Sequence, residues 1–322
     1  MTNSLFITGA SGFVGGALAR LALARGRVVH AFVRPTSPRG GLEGASIHEG
    51  DILEPASLDR AMARIDGPFD VVHSAALISY RTRDADLARR VNVEGTRHVL
   101  EAAKRRGARR VCHVSSVVAV GVALGAETLD EESDFRGVHG SHYTTTKRAA
   151  EDYVRAIARE QEVVIVNPGA IFGPSATPTN STRFLERARD GRLPAFAPPG
   201  TLSLVAVEDV AAGILSALER GRPGARYLLT GEVWTHRRLF DEVARLAGHR
   251  GPRATLPGWL WSLAGLGVLL VDRARPQELV TPQMMAHLGA RYRFRANRAR
   301  RELGWEAESA RSLLARAFEA LD

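Results

Sequence analysis

The stretch FITGASGFVGGALARLALARG, residues 6–26, decides the fold. Phe6, Ile7 and Thr8 run straight into Gly9, Gly12 and Gly15, and an apolar helical pattern follows from Phe13 to Ala24. Strand, glycine turn and helix, in that order, let a backbone approach a pyrophosphate closely and set it on the positive end of the helix. The G-x-x-G-x-x-G spacing therefore predicts a dinucleotide site built by Gly9, Ser11, Gly12, Phe13 and Val14. A purely structural glycine turn is the plainer alternative.

Outward from this unit, short apolar runs alternate with amphipathic stretches. Strands are predicted at Leu5–Thr8, Val28–Val33, Ile47–Gly50, Val71–Ser74, Val111–Ser115 and Val163–Asn167. Helices are predicted at Phe13–Ala24, Ser57–Ile65, Asp84–Arg106 and Tyr143–Glu160. That alternation implies an α/β fold, a doubly wound parallel sheet of the Rossmann kind. Beyond Pro168 the pattern changes. Residues 173–204 are rich in Pro, Thr and Gly, and no further regular strand–helix unit is expected after them. SLVAVEDVAAGILSALERG (203–221) reads as a strand end and one more helix, and the remainder as helical, broken at Pro252, Pro257, Pro276 and Pro282. The expected organisation is a Rossmann domain over 1–170 with about 205–222. A smaller, mostly helical substrate lobe takes 171–204 and 223–322 and closes over the carboxyl ends of the strands.

Composition narrows the class. The 322 residues are 45% hydrophobic and 25% charged, as in an ordinary globular protein. The single cysteine, Cys112, makes no internal disulfide. With no basic region followed by a long apolar stretch at the N-terminus, a cytoplasmic location is expected. The net charge of +9 is spread along the chain, so no nucleic-acid partner is expected. The densest cluster, RYRFRANRARRELG (291–304), reads as the exposed face of a helix. Trp259–Val271 is too short to span a membrane, which leaves a core helix, a pocket wall or a surface that touches lipid. No metal site is expected, and a homodimer is allowed for.

Of the 44 basic residues only Lys104 and Lys147 are lysines, so each surviving lysine invites a reason that arginine cannot satisfy. Lys104, in AAKRRGARR, reads as a solvated helix end. Lys147 stands in SHYTTTKRAAEDYV (141–154), four residues after Tyr143, so on a helix the two share a face. A cation beside a phenol lowers its pKa from about 10 and lets it exchange a proton with substrate. A packing tyrosine is the alternative for Tyr143. Ser115 and Ser116 emerge at the end of the fifth strand. There one hydroxyl could polarise a carbonyl while the other caps the turn. After the second strand, where an NAD site usually carries an acid, stands Arg34, and no acid occurs between Gly16 and Leu42. A guanidinium pairs with a 2′-phosphate, so the reading favours NADP(H) over NAD(H), against Arg34 as one more surface arginine.

These pieces, with VRPTS (33–37), GDI (50–52), HSAA (73–76), NVEGT (92–96), SSVVAVG (115–121), YTTTK (143–147), NPGAIFGP (167–174) and VEDVAAG (207–213), resemble the extended short-chain dehydrogenases/reductases. That group is also called the NAD-dependent epimerase/dehydratase family. The similarity is greatest to its dihydroflavonol-reductase-like branch, which also holds hopanoid-associated sugar epimerases. The resemblance implies that Asp51 and Ile52 contact the adenine and that Ala75 lines the cofactor groove. It implies that Pro168 and Ile171 flank the nicotinamide, that Asn92 holds the helix and a water of a proton relay, and that Ser116 is the active serine. Ser203 and Leu204 stand where sugar-nucleotide epimerases usually carry an arginine for the diphosphate. The reading that follows is an NADP-dependent reductase or dehydrogenase acting on a small hydrophobic or polycyclic molecule. Alternatives are a sugar epimerase or dehydratase with a tightly held nicotinamide, and a non-catalytic NADP-binding regulator.

Overall fold

The computed structural model describes residues 4–137, 141–274 and 280–321; Pro276 lies outside them. Along the chain the first strands are β1 (Ser4–Thr8), β2 (Val29–Val33), β3 (Ser46–Glu49), β4 (Phe69–His73), β5 (Arg110–Val114) and β6 (Val163–Pro168). Between them run α1 (Phe13–Ala24), α2 (Pro55–Met62), α3 (Ala85–Arg89), α4 (Gly95–Arg105) and α5 (His142–Ile157), with a π-helical turn at Arg90–Glu94 joining α3 to α4. The later strands are β7 (Ala170–Phe172), β8 (Phe196–Ala197), β9 (Thr201–Ala206), β10 (Arg226–Leu229), β11 (Val233–Thr235) and β12 (Ala254–Thr255). The later helices are α6 (Asn180–Arg189), α7 (Val207–Arg220), α8 (His236–Leu246), α9 (Gly258–Ala274), α10 (Pro282–Gly289), α11 (Asn297–Leu303) and α12 (Ala310–Glu319).

Seven parallel strands in the order β10-β6-β5-β4-β1-β2-β3 form the central sheet. Alternation along β1 shows why its strands are apolar throughout. Leu5 and Ile7 enter the core shared with α1 and α7, whereas Phe6 enters the core on the opposite face with Leu58, Leu100 and Val154. A strand buried on both faces has no polar side to show. Winding reverses between β1 and β4, and at that switch point the carboxyl ends of the two strands open a crevice.

Two expectations are corrected. Arg226–Leu229, in the stretch read as lobe, is the seventh strand of the main sheet, pairing with β6 through Arg226↔Ile165 to Leu229↔Pro168. Its four residues are wholly buried, so no alternation announced it. The stretch 291–304 is not one exposed helix. Residues 291–296 are irregular, bridged to Thr201 at Arg291 and to Leu129 at Phe294, and bury Tyr292 and Phe294; only Asn297–Leu303 is helical, with Ala299 and Leu303 facing the sheet core. The smaller lobe has its own core of Phe172, Leu185, Trp234, Leu239, Phe240 and Leu313, and includes a three-stranded sheet β11-β9-β7 beside its helices.

Candidate active site

The glycine turn sits in the crevice between β1 and β4. Gly9 has φ +70°, and a Cβ there would lie 2.7 Å from the Ala75 nitrogen. At Gly15 a Cβ would lie 2.2 Å from the Gly9 oxygen. Only glycine fits either place. Gly12 caps α1 without a side-chain acceptor, which leaves the first amides of that helix available for a phosphate. Ser11, Phe13 and Val14 are partly exposed around the turn. The residues present thus fit a dinucleotide.

At the far end of this groove, Arg34 follows β2, exposed and with no side-chain hydrogen bond or ion pair among the described residues. Arg39 is instead engaged by Glu49. The sheet register sets Glu49 opposite Val33, so the neighbouring strand delivers an acid that a scan along β2 alone overlooks. Asp51 spends one carboxylate oxygen on the turn amide of Leu53, at 2.9 Å. Ile52 is buried against Gly95 in the second core. Ala75, Pro168 and Ile171 lie at or just beyond the carboxyl ends of β4 and β6.

Helix α5 supplies the centre. Ser141 caps it, accepting from the Thr144 amide, and Tyr143 and Lys147 lie on its buried face. Burial pushes the Tyr143 phenol up to about 12, and a hydrogen bond with the Ser116 side chain pulls the other way. The expected lowering by Lys147 is not what the structure shows. Its ammonium donates to the Val114 carbonyl at 2.9 Å, and burial brings it down to about 8 while the Glu151 carboxylate opposes the drop. A neutral phenol beside a serine hydroxyl is a proton donor held near a place where a carbonyl can dock.

The two serines separate. Ser115 donates to Glu151 at 2.7 Å and is buried, whereas Ser116 opens a short 3₁₀ turn (Val117–Ala119) and stays partly exposed beside Tyr143. Glu151, fully buried, also receives the Asn167 amide at 2.7 Å and the guanidinium of Arg226, with Arg155 at 3.3 Å. Asn167 donates as well to the Ser116 carbonyl, 2.9 Å away. One buried carboxylate therefore ties α5, β5, β6 and β10 together directly beneath the site. Sequence reading missed Glu151, although its place four residues after Lys147 puts it on the same face. Arg226 carries no such signal. Asn92 accepts from the Leu77 amide at 2.8 Å and donates to the Leu77 carbonyl and to Thr146. Its amide thus locks the segment after β4 to α5 next to Lys147.

From the smaller lobe, α10 adds His287, which bonds Ser141 at 2.8 Å and Tyr292 at 2.5 Å. Its ring lies 4.7 Å from that of Tyr80, which meets Tyr143 edge-on at 5.8 Å. Burial holds His287 at about 4, hence neutral. An aromatic wall flanks the phenol. Ser203 faces inward, donating to the Tyr292 carbonyl and accepting from the Phe294 amide, and Leu204 is in the lobe core. No group of at least three His, Cys, Asp or Glu among the described residues could hold a metal ion.

Comparison with known proteins agrees with this architecture. Over 320 residues the chain is 35% identical to the sterol demethylase protein B of Methylococcus capsulatus (strain ATCC 33009 / NCIMB 11132 / Bath), spanning 96% of this chain and 95% of the relative. It is 34% identical over 273 residues to a putative dihydroflavonol 4-reductase of Synechocystis sp. (strain ATCC 27184 / PCC 6803 / Kazusa), spanning 81% and 77%. The crystal structure of gox2253 superposes with a TM-score of 0.87 at 30% identity, covering 99% of this chain and 98% of that one. The model of the NAD dependent epimerase/dehydratase family matches residues 5–229, ending on the last residue of β10. The chain belongs to that family of nicotinamide-dependent enzymes.

Proposed function

We propose that the chain is an NADP-dependent reductase, or the reverse dehydrogenase, interconverting a ketone or aldehyde with an alcohol on a small hydrophobic or polycyclic substrate. The observation that carries the reading is that α5 sets Tyr143 and Lys147 one turn apart on its buried face, against the end of β5 where Ser116 stands partly exposed. Tyr143 gives the proton to the carbonyl oxygen, Ser116 orients that oxygen, and Lys147 holds the ribose and the charge balance. A nicotinamide dinucleotide, when bound, supplies or accepts the hydride. Asn92 acts through Leu77 and Thr146, as a positioning residue. The aromatic wall of Tyr80, His287 and Tyr292 suits an apolar ring system. Relatives named for sterol and dihydroflavonol chemistry support the same substrate class. With Ser203 and Leu204 turned inward, that position offers no cation to a nucleotide diphosphate. A panel of hydrophobic ketones and aldehydes should give stoichiometric NADPH oxidation. Inversion of a nucleotide-sugar centre without net cofactor change would replace this reading with an epimerase.

Cofactor preference is assigned to Arg34, the free cation beyond β2. A charge-assisted pair with the 2′-phosphate is worth roughly 1.5–3 kcal/mol, about ten- to hundredfold in affinity. Arg34→Asp should erase that preference when both cofactors are titrated by fluorescence, with any remainder traced to Arg39. A wild-type protein that binds NAD as tightly as NADP would contradict the assignment.

A further inference from the structure

Helix α9 carries six of the thirteen large hydrophobic side chains that stand exposed among the described residues. Trp259, Leu263, Leu266 and Leu270, spaced 4, 3 and 4 residues apart, form one stripe and are 68%, 54%, 56% and 65% exposed. Leu260 and Val271 widen it, and Ala264, Gly267, Val268, Val271 and Val280 line a shallow groove of about 340 Å³ along its side. From Gly258 to Val271 there is no charged residue, and from His249 to Val271 no acid. Arg250 and Arg253, just before the helix, are exposed and have no side-chain partner among the described residues. The opposite face of α9 rests on α10, with Trp261 donating to the Met285 carbonyl at 3.0 Å. Two residues further along α10 is His287 of the aromatic wall.

We propose that the α9 stripe is a docking surface for an anionic lipid bilayer, on which the enzyme rests to take up or release its apolar substrate. At 17 residues the helix is about 25 Å long, and no helix of the described residues is long and apolar enough to cross a membrane. It therefore lies in the plane of the interface, apolar stripe down. The two free guanidiniums at its start reach the headgroups, and the indole of Trp259 stands at the same end. A second copy of the chain fits the face less well. A stable pair buries about 800 Å² on each partner and makes about ten hydrogen bonds, whereas this stripe is one convex helix whose exposed Ser262 hydroxyl already bonds the Gly258 carbonyl. The link to substrate uptake rests on the apolar-substrate reading above; the bilayer contact itself does not.

The test is flotation of the full chain with vesicles of phosphatidylcholine alone and with added phosphatidylglycerol, at low and high salt. Binding should be strong on the mixed vesicles and weaken with salt. Leu263→Glu with Leu266→Glu should lose it by roughly tenfold or more. Arg250→Glu with Arg253→Glu should lose roughly tenfold or more of the preference for the anionic lipid. NADPH affinity and Tm, measured in parallel, should match wild type in both variants. Failure to float on either vesicle would overturn the proposal. So would a stable dimer in light scattering that Leu263→Glu separates, since the stripe would then belong to a second copy. Neither readout uses turnover, so a wrong substrate class would leave this result standing.

Discussion

Lys147→Arg should cut turnover by about 10²–10⁴-fold although it preserves the charge. The position leaves no latitude. The ammonium is buried and donates to the Val114 carbonyl at 2.9 Å, one turn of helix from Tyr143. A guanidinium is longer, planar and bulkier, so it must either push against β5 or swing its fork away from the ribose position. In the proposed mechanism either movement would break the alignment between phenol, ribose and carbonyl on which proximity catalysis depends. Burial already lowers Lys147 to about 8, so the native cation is poised near neutrality, whereas an arginine stays charged at every working pH. The variant should therefore lose the alkaline limb of its pH profile along with most of its rate. Lys104→Arg is the control. That lysine is exposed and pairs with Glu160 at 2.6 Å, an interaction arginine reproduces. Steady-state assays of the two variants, with NADPH affinity measured separately, decide the matter. Near-wild-type turnover in Lys147→Arg would remove Lys147 from the mechanism.

Much of the frame was legible because local patterns and the fold agreed. The glycine spacing, the doubly buried strands and the Tyr143–Lys147 interval are all short-range features, and each reads directly on the chain. What escaped reading depended on contacts between distant segments. β10 is four buried residues with no helix of its own following, so it looked like lobe until its pairing with β6 appeared. Glu49 comes beside the end of β2 only through strand register. The roles of Ser115 and Ser116 differ because Glu151 takes the Ser115 hydroxyl, while that of Ser116 accepts from the Val118 amide at the partly exposed start of the 3₁₀ turn, which spacing alone could not decide. Local chemistry also misled in one place. Lysine beside tyrosine suggests a lowered phenol, but burial outweighs it and the ammonium is directed to a backbone carbonyl.

Glu151→Gln should cost the protein stability and shift its activity toward lower pH. The native carboxylate gathers Ser115, Asn167, Arg226 and Arg155, while glutamine offers one acceptor oxygen and turns an NH₂ toward the remaining donors. Arg226 is then left buried beside a neutral group, which typically costs about 3–5 kcal/mol. For a chain of this size that lowers Tm by roughly 5–15 °C. The catalytic effect is separate and has a definite sign. Glu151 is the negative charge that raises Lys147 against the desolvation that lowers it to about 8. Without it the charged ammonium is less favoured, its pKa falls further, and the alkaline limb of kcat/KM moves toward neutrality. A second variant separates the two effects. Glu151→Gln combined with Arg226→Met removes both charges and should recover much of the lost stability, because no unpaired ion remains. It should not recover the pH limb, because Lys147 still lacks its carboxylate. Glu151→Asp keeps the charge and should leave the limb close to wild type even if Tm drops. If both charge-removing variants fold, bind NADPH and show the wild-type pH profile, Glu151 is only a structural clamp and its electrostatic role on Lys147 is refuted.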